Sequence, residues 1–343
     1  MLFAILVLAP ALAKGPDLDG DGFDRSHDCD DSDAAKWNQV GTWPGDLTSA
    51  SIPGFCAGWC VRDVQGDLDL GGATAADVRG LGCVREVDGD LRLWSDRVLK
   101  NFKGLGNLRS VGALDVYEAT ALTSLRGLGR LEAVHGYFYI DGATALTGLD
   151  GLRSLTVIDG TLDLWNLTSF AGPSGATALE TIGSDVTFAS NPAMVDFTGL
   201  GALTSIGGFL AVDDAAAQTG FVGLDQLASI GGDLSLTLSP AFVDFTGLGA
   251  LTSVGGYLFV SYNGALVSTN GLSALGSAGA IYMDDNPVLT DLTGLYGLSS
   301  VTGDILITDN ICLDPADADA LVAAIPAIGG AVTLSGNGTA ICP

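Results

Sequence analysis

Two apolar residues separated by a single position return along this chain about every two dozen residues. The first member of the pair is Leu68, Leu91, Leu114, Phe138, Leu162, Val186, Leu210, Leu234, Leu258, Ile281, Ile305 and Val332, at intervals of 23 or 24 residues and finally 27. The second member follows as Leu70, Leu93, Val116, Ile140, Leu164, Phe188, Val212, Leu236, Val260, Met283, Ile307 and Leu334. A period of two puts both side chains on one face of a short strand. One such strand cannot bury that face alone, so the repeats must stack. The chain is expected to form one elongated all-β solenoid of about twelve rungs, although 343 residues could hold two ordinary domains.

Between the strands an apolar residue recurs at every third position, as in Leu122, Leu125, Leu128, Leu131 and Val134, in Met194, Phe197, Leu200, Leu203 and Ile206, and in Leu289, Leu292, Leu295, Leu298 and Val301. That spacing predicts tight turns or a 3₁₀-like return path, since a regular α-helix would alternate three and four. Asparagine follows many strands, at Asn166, Asn191, Asn263, Asn286, Asn310 and Asn337. Stacked at a corner, these side chains are expected to satisfy buried backbone groups and so to be structural. Pro44-Gly45-Asp46-Leu47-Thr48 reads as a degenerate strand of the same kind and predicts an N-terminal capping rung.

The combined pattern is apolar-x-apolar-x-x-Asn-x-x-Leu-x-x-Leu-x-Gly-Leu-x-x-Leu-x-x-Ile-x-Gly. It resembles the receptor L domain of the insulin and epidermal growth factor receptors, over roughly residues 45–343. The resemblance implies a right-handed single-stranded β-helix related to leucine-rich repeats. Asn310-Ile311-Cys312-Leu313 and the helical-looking stretch 317–324 also resemble the end of such a domain. The repeats here outnumber those of one receptor L domain, and neither a cysteine-rich module nor a kinase follows, so the receptors' signalling role does not carry over.

Ahead of the repeats, residues 1–13 are an apolar run too short to span a bilayer that ends in Ala11-Leu12-Ala13. This is expected to be a secretory signal peptide, which places the protein outside the cell, secreted or at the cell surface. No later stretch is long enough to cross a membrane, so no membrane insertion is expected. Residues 14–43 are rich in aspartate. Asp17, Asp19 and Asp21, then Gly22, the Phe23 carbonyl and Asp28 fall at the one, three, five, six, seven and twelve positions of an EF-hand loop. Alternate residues of a tightly curled loop point to one centre, and hard carboxylate oxygens suit Ca2+. Asp30, Asp31 and Asp33 complete this site or form a second. The segment lacks flanking amphipathic helices. It resembles the aspartate-rich metal-binding repeat of secreted bacterial proteins and the calcium loops of thrombospondin type 3 repeats. His27 is read as a bystander among hard oxygen donors.

Six cysteines in an exported chain favour disulfides, and their spacing is not that of a zinc site. Cys60 and Cys83 precede Val-Arg-Asp-Val and Val-Arg-Glu-Val, which predicts that they pair across adjacent rungs. Cys312 and Cys342 bracket the last repeat, which leaves Cys29 with Cys56.

A net charge of −26 argues against nucleic acid or an anionic membrane as partner, because phosphate binding needs clustered Lys and Arg. All 14 basic residues lie at or before Arg153. The acidic remainder suits a soluble, self-repelling surface or, more pointedly, a cation-rich setting or a basic partner.

Catalysis finds little support. The only histidines are His27 and His135, and there is no Gly-x-Ser-x-Gly elbow. Asp69, Asp115 and Asp163 on alternate rungs could imitate the paired carboxylates of a polysaccharide-active β-helix, but no Lys or Arg accompanies the acids beyond Arg153. Binding is the stronger expectation. Arg92, Trp94, Asp115, Tyr117, Tyr137, Tyr139, Asp163 and Trp165 occupy outward strand positions on four successive rungs, and Phe209, Tyr257, Phe259 and Tyr282 form a weaker second group. Aromatics mixed with Arg and Asp suit an extracellular protein or glycan as partner. The same aromatics also suit strands and cross-rung packing, and the sequence leaves both readings open. The expected role is therefore a calcium-binding recognition module that is not an enzyme. A surface-layer or matrix component is the first alternative and a polysaccharide-active enzyme the second.

Overall fold

The computed structural model describes residues 40–338 and 342. The signal peptide expected over residues 1–13, Cys29, and the expected calcium ligands Asp17, Asp19, Asp21, Phe23, Asp28, Asp30, Asp31 and Asp33 lie outside the described residues.

The chain is a β-solenoid whose rungs pair in parallel with the rung before and the rung after. A typical rung holds a four-residue strand such as Val186–Ala189, with Val186 opposite Leu162 on one side and Leu210 on the other. The inward pair of every rung is buried, from Leu68 and Leu70 to Ile305 and Ile307, and only the terminal Val332 and Leu334 escape full cover. Leu47 pairs with Leu68 and is buried, so the degenerate Leu47–Thr48 strand is a rung of the solenoid, the first among the described residues.

A second parallel ladder, not expected from the sequence, runs beside the first. In the same rung Thr181–Ile182 pairs with Val157–Ile158 and with Ser205–Ile206. The Val or Ile that ends each three-residue series lies in this ladder, and a two-residue strand is too short to display a period. Where the two segments join, as in Ser253–Ser261, the register slips between Val254 and Tyr257, at Gly255-Gly256.

The return path is built of turns bonded from residue i to residue i−3. Leu128 N–H donates to the Leu125 carbonyl at 3.1 Å and Leu131 N–H to the Leu128 carbonyl at 2.9 Å. Each turn lays one leucine into the core. Glycine makes the close stacking possible: Gly247 has φ +108°, and a Cβ there would fall 2.0 Å from the Phe221 carbonyl oxygen of the preceding rung. In the middle rungs Phe188, Phe197, Phe221, Phe242 and Phe245 form a buried aromatic stack with centroids 5.2–5.9 Å apart.

The asparagine corner is a hydrogen-bonded ladder. The amide oxygen of Asn286 accepts the Asn263 N–H at 3.1 Å, and its Nδ2 donates to the Val260 carbonyl at 3.0 Å. Asn263, Asn310 and Asn337 repeat the arrangement, and Asn191 makes it with Leu167 N–H and the Leu164 carbonyl. Asn166 departs from expectation. It sits one position earlier, in a left-handed turn at φ +55°, exposed, donating to Asp141.

Each end of the described solenoid carries its own packing. At the N-terminal end the Arg62 guanidinium lies 4.4–4.9 Å from the ring centroids of Trp43, Phe55 and Trp59. At the other end Asp314 caps the helix Pro315–Ala324 by accepting the Ala316 N–H, and the helix buries Ala318 and Leu321. Cys312 pairs with Cys342, as its place around the last repeat suggests. The expected pairing of Cys60 with Cys83 is wrong, and so is that of Cys56 with Cys29. Cys83 is bonded to Cys56, and Cys60 is itself disulfide-bonded. Val64 faces Val87 as the sequence implies, but a bulge puts Arg62, not Val61, opposite Val84. The slip removes Cys60 from its place beside Cys83.

Candidate recognition groove

The outward positions of the four-residue strands form columns that the parallel register fixes. One column runs Asp69, Arg92, Asp115, Tyr139, Asp163 and Thr187, and another runs Trp94, Tyr117, Asp141, Trp165 and Ala189. Trp94, Ser95, Asp115, Tyr117 and Tyr139 line a groove of about 440 Å³ between them. Trp94 is 50% exposed and Tyr117 40%, while Tyr139 is half-buried and lies deeper.

Asp115, expected to face outward freely, is instead 7% exposed and forms the floor. The Tyr137 hydroxyl reaches it at 3.5 Å, and Trp94 lines the groove beside it. Burial nonetheless dominates and raises its carboxyl above the ordinary aspartate value, with the neighbouring Asp90 charge adding to the effect. Around this floor the polar groups are interlocked. Arg92 is paired with Asp67 and with Asp90, the latter at 2.7 Å, and its guanidinium lies 5.6 Å from the centroid of the Trp94 ring. The Tyr137 hydroxyl donates to Asp90 at 3.0 Å, and the Tyr139 hydroxyl to Asp141 at 3.2 Å. Burial first, then these carboxylates, holds both phenols protonated: Tyr139 is pushed up to about 12 and Tyr137 also rises. Tyr117 is raised chiefly by the Glu118 charge.

Five of the eight residues singled out in the sequence therefore meet directly: Arg92, Trp94, Asp115, Tyr117 and Tyr139. Tyr137 joins them from the neighbouring position, its hydroxyl 3.0 Å from Asp90 and 3.5 Å from Asp115. Asp163 continues the Tyr139 column one rung on, and Trp165, 40% exposed, lies two rungs from Tyr117 and outside the groove lining. Asp67, Asp90 and Asp141 were not anticipated. The first two carried a signal, because an aspartate directly precedes the first inward leucine in Gly66-Asp67-Leu68 and Gly89-Asp90-Leu91.

The second aromatic group also forms a groove, of about 390 Å³, lined by Asp233, Ser235, Tyr257, Phe259 and Tyr282. Here Phe259 and Tyr282 stack on adjacent rungs at 4.7 Å with their planes 5° apart, so much of their ring surface is used on each other. Among the described residues no group of three or more His, Cys, Asp or Glu side chains is placed to hold a metal ion, and no helix is long and apolar enough to cross a membrane.

No family model matches the chain. No curated protein matches it. A solved structure that does match is described as "Crystal structure of TLR13-ssRNA13 complex", at 12% identity and a TM-score of 0.20, over 80% of this chain. This chain spans only 58% of that one, and at so low a TM-score the likeness does not extend to the overall course of the backbone.

Proposed function

We propose that this protein is an exported recognition module that binds an extracellular glycan or protein in the groove of Trp94, Tyr117 and Tyr139. The observation that carries the reading is the combination of ring faces left open with polar groups held in place. Trp94 and Tyr117 are exposed although they stand beside one another on paired strands. Beneath them Asp115, Arg92 and Tyr139 are fixed by hydrogen bonds and ion pairs, so little side-chain freedom is lost when a ligand arrives. Aromatic faces beside fixed hydrogen-bonding groups suit sugar rings and the side chains of a protein partner.

Binding fits these carboxylates better than hydrolysis does. Asp69, Asp115 and Asp163 stand two rungs apart, about 10 Å, and Arg92 and Tyr139 fill the rungs between them.

The N-terminal aspartate loop belongs to the same reading as a calcium site, supported by its ligand spacing. Its affinity is expected at about 10⁻⁴–10⁻³ M, the range of extracellular modules. Calorimetry on the mature chain tests it, and absence of heat on adding calcium removes the site. The receptor L domain resemblance, the disulfides Cys56–Cys83 and Cys312–Cys342 and the expected leader agree with an extracellular setting.

The experiment that tests the function is binding of the purified mature chain to an array of surface polysaccharides and extracellular proteins, in calcium and in chelator. A saturable hit that Trp94→Ala weakens supports recognition at this groove. Calcium-driven self-assembly with no hit points to a matrix role, and product release from a polysaccharide points to an enzyme.

A further inference from the structure

Six of the arginines from Arg85 to Arg153 contrast in how their charge is met. Arg85, Arg92 and Arg109 are each ion-paired, to Asp63 and Glu86, to Asp67 and Asp90, and to Glu132. Arg126, Arg130 and Arg153 are not: among the described residues no carboxylate is within ion-pair distance of any of them. Yet these three lie together, lining a groove of about 540 Å³ on the turn side of the rungs.

The turn sequence brings them together. Arg126 and Arg130 flank Gly127-Leu128-Gly129 in one rung. Arg153 comes from the next rung, and its guanidinium carbon lies 3.7 Å from where a Cβ of Gly129 would stand. It therefore reaches back over the glycine that lies between the other two. Arg130 is oriented by donating to the Asn107 amide oxygen at 2.7 Å, a neutral acceptor that leaves its charge uncompensated. The floor is bare backbone, since Gly151 packs so tightly that a Cβ there would fall 2.2 Å from the Leu125 carbonyl oxygen. The groove holds one acid, Asp150.

We propose that this groove is an oxyanion site, taking a carboxylate, sulfate or phosphate group of a small ligand. Three arginines lining one groove offer forked N–H donors to a planar or tetrahedral anion, the geometry at which Arg excels. The net charge of −26 favours a small ligand over a long polyanion, because the rest of the surface repels any chain that extends beyond the groove by more than about a Debye length, ~8 Å at physiological salt. The site is independent of the aromatic groove and stands whether or not that groove binds a ligand.

Titration calorimetry of the whole chain with sodium sulfate, inorganic phosphate and glucuronate, in low-chloride buffer, tests the proposal. One saturable site is expected. The tightest of the three distinguishes a sugar carboxylate from a free or esterified tetrahedral anion. Arg153→Ala is expected to weaken binding about tenfold or more, and Arg126→Ala similarly, the effect of losing a charge-assisted hydrogen bond. Asp150→Asn is expected to tighten it. Arg97→Ala, an exposed arginine outside the groove, and Trp94→Ala are expected to leave it unchanged. Arg97, Arg126, Asp150 and Arg153 are exposed, so unchanged melting and circular dichroism are expected to accompany their substitution. The proposal is overturned by no saturable heat with any of the three anions, or by equal losses from Arg97→Ala and Arg153→Ala. It is overturned equally by binding confined to long polyanions, RNA or sulfated polysaccharide, with affinity that climbs with length.

Discussion

Asn286 ties three rungs together with one residue. Its side chain bonds the Asn263 N–H and the Val260 carbonyl behind it, and its own N–H is accepted by Asn310 ahead. All of these groups are buried away from water, so Asn286→Ala leaves a donor and an acceptor unpaired. A loss of about 1–3 kcal/mol for each group left unsatisfied is expected in urea unfolding. Asn166→Ala, in an exposed turn, is expected to stay within about 0.5 kcal/mol. The two asparagines look alike in the sequence, and only their offset from the strand separates them: Asn166 follows Trp165 directly, whereas Asn191 stands one residue beyond Ser190. Tyr139 supplies a pH signature. Its pKa is raised in the fold to about 12 from the ordinary tyrosine value of 10.0, so its contribution is complete below pH 10 and is lost as pH climbs through about 12. Tyr139→Phe is expected to flatten the fall in stability across that window, and unfolding measured at pH 9 to 12 in both proteins checks it. Identical slopes would contradict the buried, hydrogen-bonded phenol.

Strands and turns carry the stability of the fold. Leu210 is buried against the rungs on either side, while Asp213 on the same strand is half-buried and outward. Leu210→Ala is expected to cost about 2–5 kcal/mol. Asp213→Ala, which forfeits its hydrogen bond with Thr237, is expected to cost about 1 kcal/mol. Thermal unfolding of both variants checks the register, and equal melting shifts would contradict it. The long-strand ladder, the i−3 turns and the degenerate first rung were legible because each is written in side chains: two inward apolar residues per strand, one leucine per turn. The second ladder was not, because two residues display no period and backbone pairing leaves no mark on composition. The disulfide at the N-terminal end was misread for a related reason. Sequence equivalence aligns Cys60 with Cys83, but a one-residue bulge between Arg62 and Val64 shifts the backbone without changing the motif.

At the scale of the molecule, stacking turns single residues into lines, and two lines of outward side chains make the candidate site. Most of the groove was visible as aromatic residues at outward positions of successive strands. Its floor was not, since an outward strand position does not reveal that Asp115 is buried among its neighbours. Charge is likewise distributed by length: the basic residues end at Arg153, and from there to Pro343 the chain carries only acids. The aromatic groove thus lies in the part of the chain that carries both signs of charge. The most direct test of recognition at this groove is the affinity of an array-selected ligand for the wild-type chain, for Trp94→Ala and for Phe259→Ala, measured under one set of conditions. The expected result is a loss of about tenfold or more for Trp94→Ala, as for an aromatic anchor at the centre of an interface, with little change for Phe259→Ala. Unchanged affinity in Trp94→Ala, or a loss confined to Phe259→Ala, would contradict it.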